Sequence, residues 1–235
     1  MKIYTLLFLL FIINTINAQD SGPGGVGDDT SNRFWFIADQ INQTDGSDVT
    51  IWNNLGGNSE NAVDIGNPPN LNTNQLNGLY VLNFDSSNNE ILEIPNNNDL
   101  NTSEPYSVRT FSMVIETGTD VTSRQMIYEE GGNTRGLNFY INSGKLYYAG
   151  WNLNDDDNGG SASPWGFSSI NTPISASSSY ILTFVFNGNS SSTGTIECYL
   201  NGSGVGTINN IGLLYAHAGE IGLGKVNGGS YLETG

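Results

Sequence analysis

Apolar side chains recur at every second position along much of this chain, and no stretch carries them at the three-to-four spacing of a capped helix. Phe111, Met113 and Ile115 alternate with Ser112, Val114 and Glu116; Ile196, Cys198 and Leu200 alternate with Thr195, Glu197 and Tyr199. Successive strand residues point to opposite faces, so each run predicts a strand with one face turned to a core. The same reading places strands over residues 33–39, 49–52, 79–84, 91–94, 125–128, 205–208 and 218–223, and leaves residues 53–75 as a turn-rich stretch. Residues 137–141 and 145–149 flank Asn142, Ser143 and Gly144 and predict a hairpin, the glycine supplying the positive φ of its turn. Residues 180–186 are nearly all apolar or β-branched, the pattern of a strand covered on both faces. About a dozen short strands at this spacing predict an all-β domain: two antiparallel sheets packed as a β-sandwich, or a barrel.

The first residues change the picture by setting a compartment. Met1 and Lys2 precede an unbroken apolar run from Leu6 to Ile13, and Ile16, Asn17 and Ala18 end on a small residue. That is the form of a cleavable signal peptide over residues 1–18, and its apolar core is far shorter than the roughly 20 residues of a spanning helix. Residues 19–32 are rich in Gly, Asp and Ser and read as a flexible leader, with the sandwich occupying residues 33–235. Without residues 1–18, six basic residues face 23 acids, so the net charge moves from −16 to −17. Such a potential repels nucleic acid and anionic lipid and argues against both as partners. It suits neutral sugars and bound cations. Cys198 is the only cysteine, so a secreted chain has no internal disulfide, which points to a bacterial envelope or extracellular setting.

Several short segments together carry a family resemblance. Residues 35–39, then Gly46, then residues 49–52, then Asn53-Asn54-Leu55-Gly56-Gly57-Asn58 and Ala62 resemble the opening of concanavalin A-like, laminin-G-like domains in bacterial secreted proteins. Asn54 and Gly56 stand where that pattern has Asp and Ser. Residues 77–85, Tyr199-Leu200-Asn201-Gly202 and Ile221-Gly222-Leu223-Gly224 are similar to later strands and turns of the family. Pro23-Gly24-Gly25-Val26-Gly27 resembles the leader of adhesin-like surface proteins of Bacteroidetes-type bacteria. The resemblance covers about residues 33–229 and implies a jelly-roll sandwich. Family members close on a Gly-x-Ile-x-Glu type strand that is not found here, so it also implies a sandwich truncated before its final strand, with further domains downstream.

Catalytic chemistry finds no motif. Sandwich glycosidases of the retaining kind set two carboxylates on one strand face, about 5 Å apart. Glu90 and Glu93 have the wrong spacing for one face, and Glu129 and Glu130, being adjacent, point to opposite faces; all read as solvated strand-end charges. His217 is the only histidine, has no Gly-x-Ser-x-Gly elbow to serve, and reads as a turn or strand-edge residue. Cys198 reads as a small buried hydrophobe.

The sharpest local feature is the run Asn154-Asp155-Asp156-Asp157-Asn158-Gly159-Gly160 between Trp151 and Trp165. Asn154, Asp156 and Asn158 alternate like the start of a calcium loop, but the first position is not Asp and the twelfth is Trp165 in place of a bidentate Glu, so the loop is not an EF-hand. The resemblance keeps Ca2+ open as a rim ligand; a solvated acidic loop is the plainer alternative. Aromatic faces stack on sugar rings while Asp and Asn take up the hydroxyl hydrogen bonds, so Trp151, Asp155, Asp156, Asp157 and Trp165 are the candidate ligand-binding set. Trp151 ends a strand and could equally be core; Trp165 lies in a Gly/Ser/Pro loop and is the better contact. The expected function is a non-catalytic carbohydrate-binding or adhesion module at the N-terminus of a secreted or cell-surface protein. Its ligand would be a glycan, a polysaccharide or another cell-surface molecule. Two alternatives stand beside it: a targeting domain of a polysaccharide-degrading enzyme, and a structural spacer of a large adhesin.

Overall fold

The computed structural model describes Gly22 and residues 26–103, 105–153, 164–217 and 219–226. The expected signal segment lies outside the described residues. The longer sheet has eight strands in the order β1 (Ile51–Trp52), β2 (Ala62–Asp64), β5 (Leu92–Ile94), β14 (Ile221–Leu223), β7 (Gln125–Gly131), β8 (Arg135–Asn142), β9 (Lys145–Asn152), β10 (Gly166–Pro173). The shorter sheet orders β13 (Ser203–Ile211), β12 (Gly194–Leu200), β11 (Ser179–Asn187) and β6 (Val108–Glu116), and β3 (Asn70–Leu76) pairs with β4 (Leu79–Asn83) as a separate ribbon. Every pairing is antiparallel. The architecture is the expected all-β sandwich of two sheets, not a barrel.

The core fills the gap between the two sheets because the alternating pattern turns one row from each strand inward. Leu137, Phe139 and Ile141 of β8, Leu146 and Tyr148 of β9, Leu182, Phe184 and Phe186 of β11, and Ile196 and Cys198 of β12 all belong to one buried cluster. Phe139 sits at its centre, with the rings of Phe184, Tyr128 and Phe111 at 5.1, 5.5 and 5.7 Å. Cys198 lies here as expected, and burial pushes its thiol up to about 12. The β8–β9 hairpin closes on two residues with positive φ, Ser143 at 52° and Gly144 at 74°, the twist that a two-residue hairpin requires.

Several stretches differ from their sequence reading. Residues 33–39 form no continuous strand; Phe36 makes a single bridge to Asn54, and Ala38–Gln40 is a 3-10 turn. The Asn54 side chain takes the place of a neighbouring strand: its Oδ1 accepts from the Trp35 N–H at 2.8 Å and its Nδ2 donates to the Arg33 carbonyl at 3.0 Å. The β11 strand is covered on one face only, its burial alternating along its length and Ile181 left 49% exposed. Three strands fall where none was expected, β2 and β3 in the stretch 53–75 and β10 in Gly166–Pro173, whose serines and proline mask a ladder to β9. Residues 28–32, within the expected leader, form a turn in which Asp28 Oδ1 accepts from the backbone of Thr30 and Ser31.

Candidate ligand-binding face and rim

Strand register turns the outward side of the longer sheet into a grid. One row crosses it through Val63, Glu93, Gly222, Glu129, Asn138, Ala149 and Ser169, each paired directly with the next. A second row runs through Gly131, Gly136, Trp151 and Phe167, and a third through Tyr140, Tyr147 and Asn171. Neighbouring rows lie about 7 Å apart along the strands, so a polar row of carboxylates, amide and hydroxyl is flanked on both sides by aromatic rows. Tyr140 and Tyr147 stack at 4.8 Å with their rings 4° from parallel. Gly136 leaves room for the Trp151 indole, since a Cβ there would meet Trp151 Cζ2 at 2.5 Å, and the indole N–H donates to the Gly132 carbonyl at 2.8 Å. Glu129, Asn138, Tyr140, Ala149 and Trp151 are fully buried, yet Tyr140, Ala149 and Trp151 belong to neither apolar cluster of the molecule.

Just inside the rim, between the sheets, lies a buried ionic group. Arg109 of β6 donates from Nη1 to Glu130 Oε1 at 2.6 Å, from Nη2 to the Leu100 carbonyl, and its guanidinium lies 3.5 Å over the Tyr106 ring. Tyr128 donates its hydroxyl proton to the other Glu130 oxygen at 2.5 Å, and His217 Nε2 stands 3.6 Å from Oε1. Burial raises the Glu130 carboxyl most, but Arg109, His217 and Tyr128 together outweigh it and hold it below its ordinary range. Burial, with Glu130 beside it, pushes the Tyr128 phenol well above its own.

Several sequence readings are corrected by these positions. Glu129 and Glu130 do face opposite sides of β7, but neither is solvated: both are fully buried. Glu90 is also buried, its carboxylate accepting the Asp85 N–H at 2.6 Å. His217 is neither in a turn nor at a strand edge; its backbone N–H donates to the Asn101 carbonyl and its ring is buried inside the rim. Trp151 and Trp165 do not converge. Trp151 faces outward and is wholly buried, so the candidate set loses it as an exposed stacking ring in this structure. Trp165 faces the core, packs at 6.3 Å from Phe186 and donates its indole N–H to the Leu213 carbonyl at 3.0 Å. The acidic residues between them, Asn154 to Asn158, lie outside the described residues; among those described, no group of three His, Cys, Asp or Glu side chains could hold a metal ion. The outward grid escaped the sequence reading because its rows join residues as far apart as Glu93, Glu129 and Gly222.

No family model matches the sequence, and no curated protein matches it. Solved structures do. The binding domain of botulinum neurotoxin serotype C1 is 14% identical with a TM-score of 0.53, over 88% of this chain and 44% of that one. The binding domain of botulinum neurotoxin DC in complex with SialylT is 15% identical, also at 0.53, over 83% of this chain and 43% of that one. A structure of botulinum neurotoxin type C, whose cell entry depends on interaction with two ganglioside molecules, is 14% identical at 0.53, over 88% and 45%. The chain shares their lectin-like sandwich fold. Identity this low carries the fold alone, and the chain spans less than half the length of each of them.

Proposed function

We propose that this chain is a non-catalytic recognition module of a secreted or surface protein, and that its ligand is a carbohydrate met on the outward face of the longer sheet. The observation that carries the reading is the grid itself: Glu129, Asn138 and Ser169 in one row, with Phe167 on one side and the stacked Tyr140 and Tyr147 on the other. Aromatic rings bind the apolar faces of sugars, and a carboxylate with an amide and a hydroxyl can both donate to and accept from sugar hydroxyls. The strongly acidic charge of the chain favours a neutral glycan over an anionic one. Botulinum binding domains of the same fold, one of them solved with SialylT, lend the reading support.

The test uses residues 19–235, the form expected after signal cleavage. Neutral polysaccharides in a pull-down should bind it, and Tyr147→Ala with Glu129→Gln should lower affinity by about tenfold or more, each loss corresponding to one or two hydrogen bonds or a stacked ring. Because these side chains are buried, a soluble paramagnetic probe must also reach Tyr147 in the ligand-free protein; continued shielding there, with binding unchanged by the double replacement, would reject the face. Release of reducing ends by the same protein would favour the enzyme alternative. In the same samples, a calcium-dependent rise in melting temperature that EDTA reverses would assign Asn154, Asp156 and Asn158 to Ca2+, and its absence would leave the loop a solvated one.

A further inference from the structure

The end of the sandwich that holds Gly131, Arg135, Asn152 and Ile94 also carries a cleft of about 380 Å3, none of whose lining residues belongs to the rows of the outward face. Two loops form it, one after β1 and one after β5, and Arg33, Asn58, Glu60, Asn96, Asn98 and Asp99 are among its lining residues. The loops are fixed from behind by asparagine side chains. Asn54 Oδ1 also accepts from the Gly56 N–H at 2.9 Å, and its Nδ2 also donates to the Asn58 carbonyl at 2.8 Å. Asn97 Oδ1 accepts from the N–H groups of Asp99 and Leu100 at 3.1 and 3.0 Å. Asp99 of the second loop gathers both neighbours: Asn58 Nδ2, from the first loop, donates to its Oδ2 at 2.6 Å, and Arg33 Nε, from the stretch before β1, donates to the same oxygen at 2.8 Å. The Glu60 carboxylate has no such tie among the described residues.

We propose that this cleft is a second binding site, independent of the outward face, for a single neutral polyhydroxylated unit such as one sugar residue. The lining offers donors from Arg33 and the asparagine amides and acceptors from Glu60, Asp99 and the amide oxygens, with no aromatic residue among its lining. A ligand held here is therefore held by hydrogen bonds, and each of its groups must be able both to donate and to accept, which hydroxyls do. A cation is opposed by the Arg33 guanidinium, already bonded to Asp99. An anion is opposed by Glu60 and Asp99 and by the net charge of the chain. The volume falls within the ordinary range for small-ligand sites, and the asparagine stitching keeps the loops organised before the ligand arrives.

The deciding experiment is an NMR titration of residues 19–235 with methyl glycosides of glucose, galactose, mannose and N-acetylglucosamine, alongside sialic acid and calcium chloride. At least one neutral glycoside is expected to shift the side-chain amides of Asn58, Asn96 and Asn98, and Glu60→Ala should weaken it about tenfold. Tyr147→Ala should leave those shifts unchanged, which separates this site from the outward face: failure of the face leaves the cleft standing, and the reverse. The inference is overturned if no neutral glycoside shifts these amides at saturating concentration, if Glu60→Ala binds as well as the parent, or if sialic acid or calcium alone shifts them. An Asn96→Ala variant, altered at an exposed side chain, repeats the affinity test should Glu60→Ala disturb folding.

Discussion

Glu130 shows how one residue links the two sheets. It sits on β7 of the longer sheet and is neutralised by Arg109 on β6 of the shorter one. Its folded carboxyl lies below the usual range, so its contribution to stability is fully present above the unfolded value near pH 4.3 and is lost as pH falls through the folded value. The groups that face it are Arg109, His217 and Tyr128, and Tyr106 lies against Arg109. Replacing Glu130 with Gln leaves a buried guanidinium without its counter-charge, and should cost about 3–5 kcal/mol at neutral pH. Urea midpoints measured from pH 2.5 to 7 should fall more gently below pH 4.5 in the variant than in the parent; parallel curves would remove Glu130 from the acid response. Nothing in the sequence marks this residue. Adjacent glutamates on a strand look like solvated charges until the partner arginine, 21 positions away, arrives from the other sheet.

At the scale of the element, legibility follows the reach of the interaction that defines each strand. The β8–β9 hairpin and β12 were readable because alternation and a two-residue turn are local. The ladder between β10 and β9 was not, since Ser168, Ser169 and Pro173 give no apolar rhythm and the strand is specified by its neighbour. The opening stretch misled in the other direction: its aromatic alternation is real, but its backbone is met by the Asn54 side chain and by loop N–H groups of Leu55, Gly57 and Asn58, with no strand beside it. The row of Gly131, Gly136 and Trp151 is likewise a cross-strand fact. Gly136→Ala would put a methyl group 2.5 Å from the Trp151 ring and 2.2 Å from the Glu130 carbonyl. Thermal unfolding should show a loss of about 1–3 kcal/mol, the usual range for overpacking; an unchanged midpoint would mean that the indole can lift off the sheet at no cost.

For the whole molecule, the two ends of the sandwich differ. One end closes β8 to β9 and β12 to β13 with tight turns at Ser143-Gly144 and Asn201-Gly202. The other end carries the longer connections after β1, β5 and β9 and holds the asparagine-lined cleft. Sequence patterning conveys the sandwich but not this polarity, because loop length is visible and the direction in which each loop leaves the sheet is not.

The shorter sheet ends on β6, nine residues paired only with β11 among the described residues, with no proline or lysine in it and with Val108 and Val114 exposed at 68% and 60%. An open edge of that length is a template for another strand. Concentrated protein should therefore self-associate in a salt-dependent way, because the large negative charge that keeps copies apart is screened by added salt. Light scattering of residues 19–235 in 0.5 M salt should rise with time, and Val114→Lys should suppress it without moving the melting temperature. Handling of this protein in solution is governed by that margin between charge repulsion and edge adhesion: dilute, low-salt storage favours the monomer, and one lysine on the strand widens the margin.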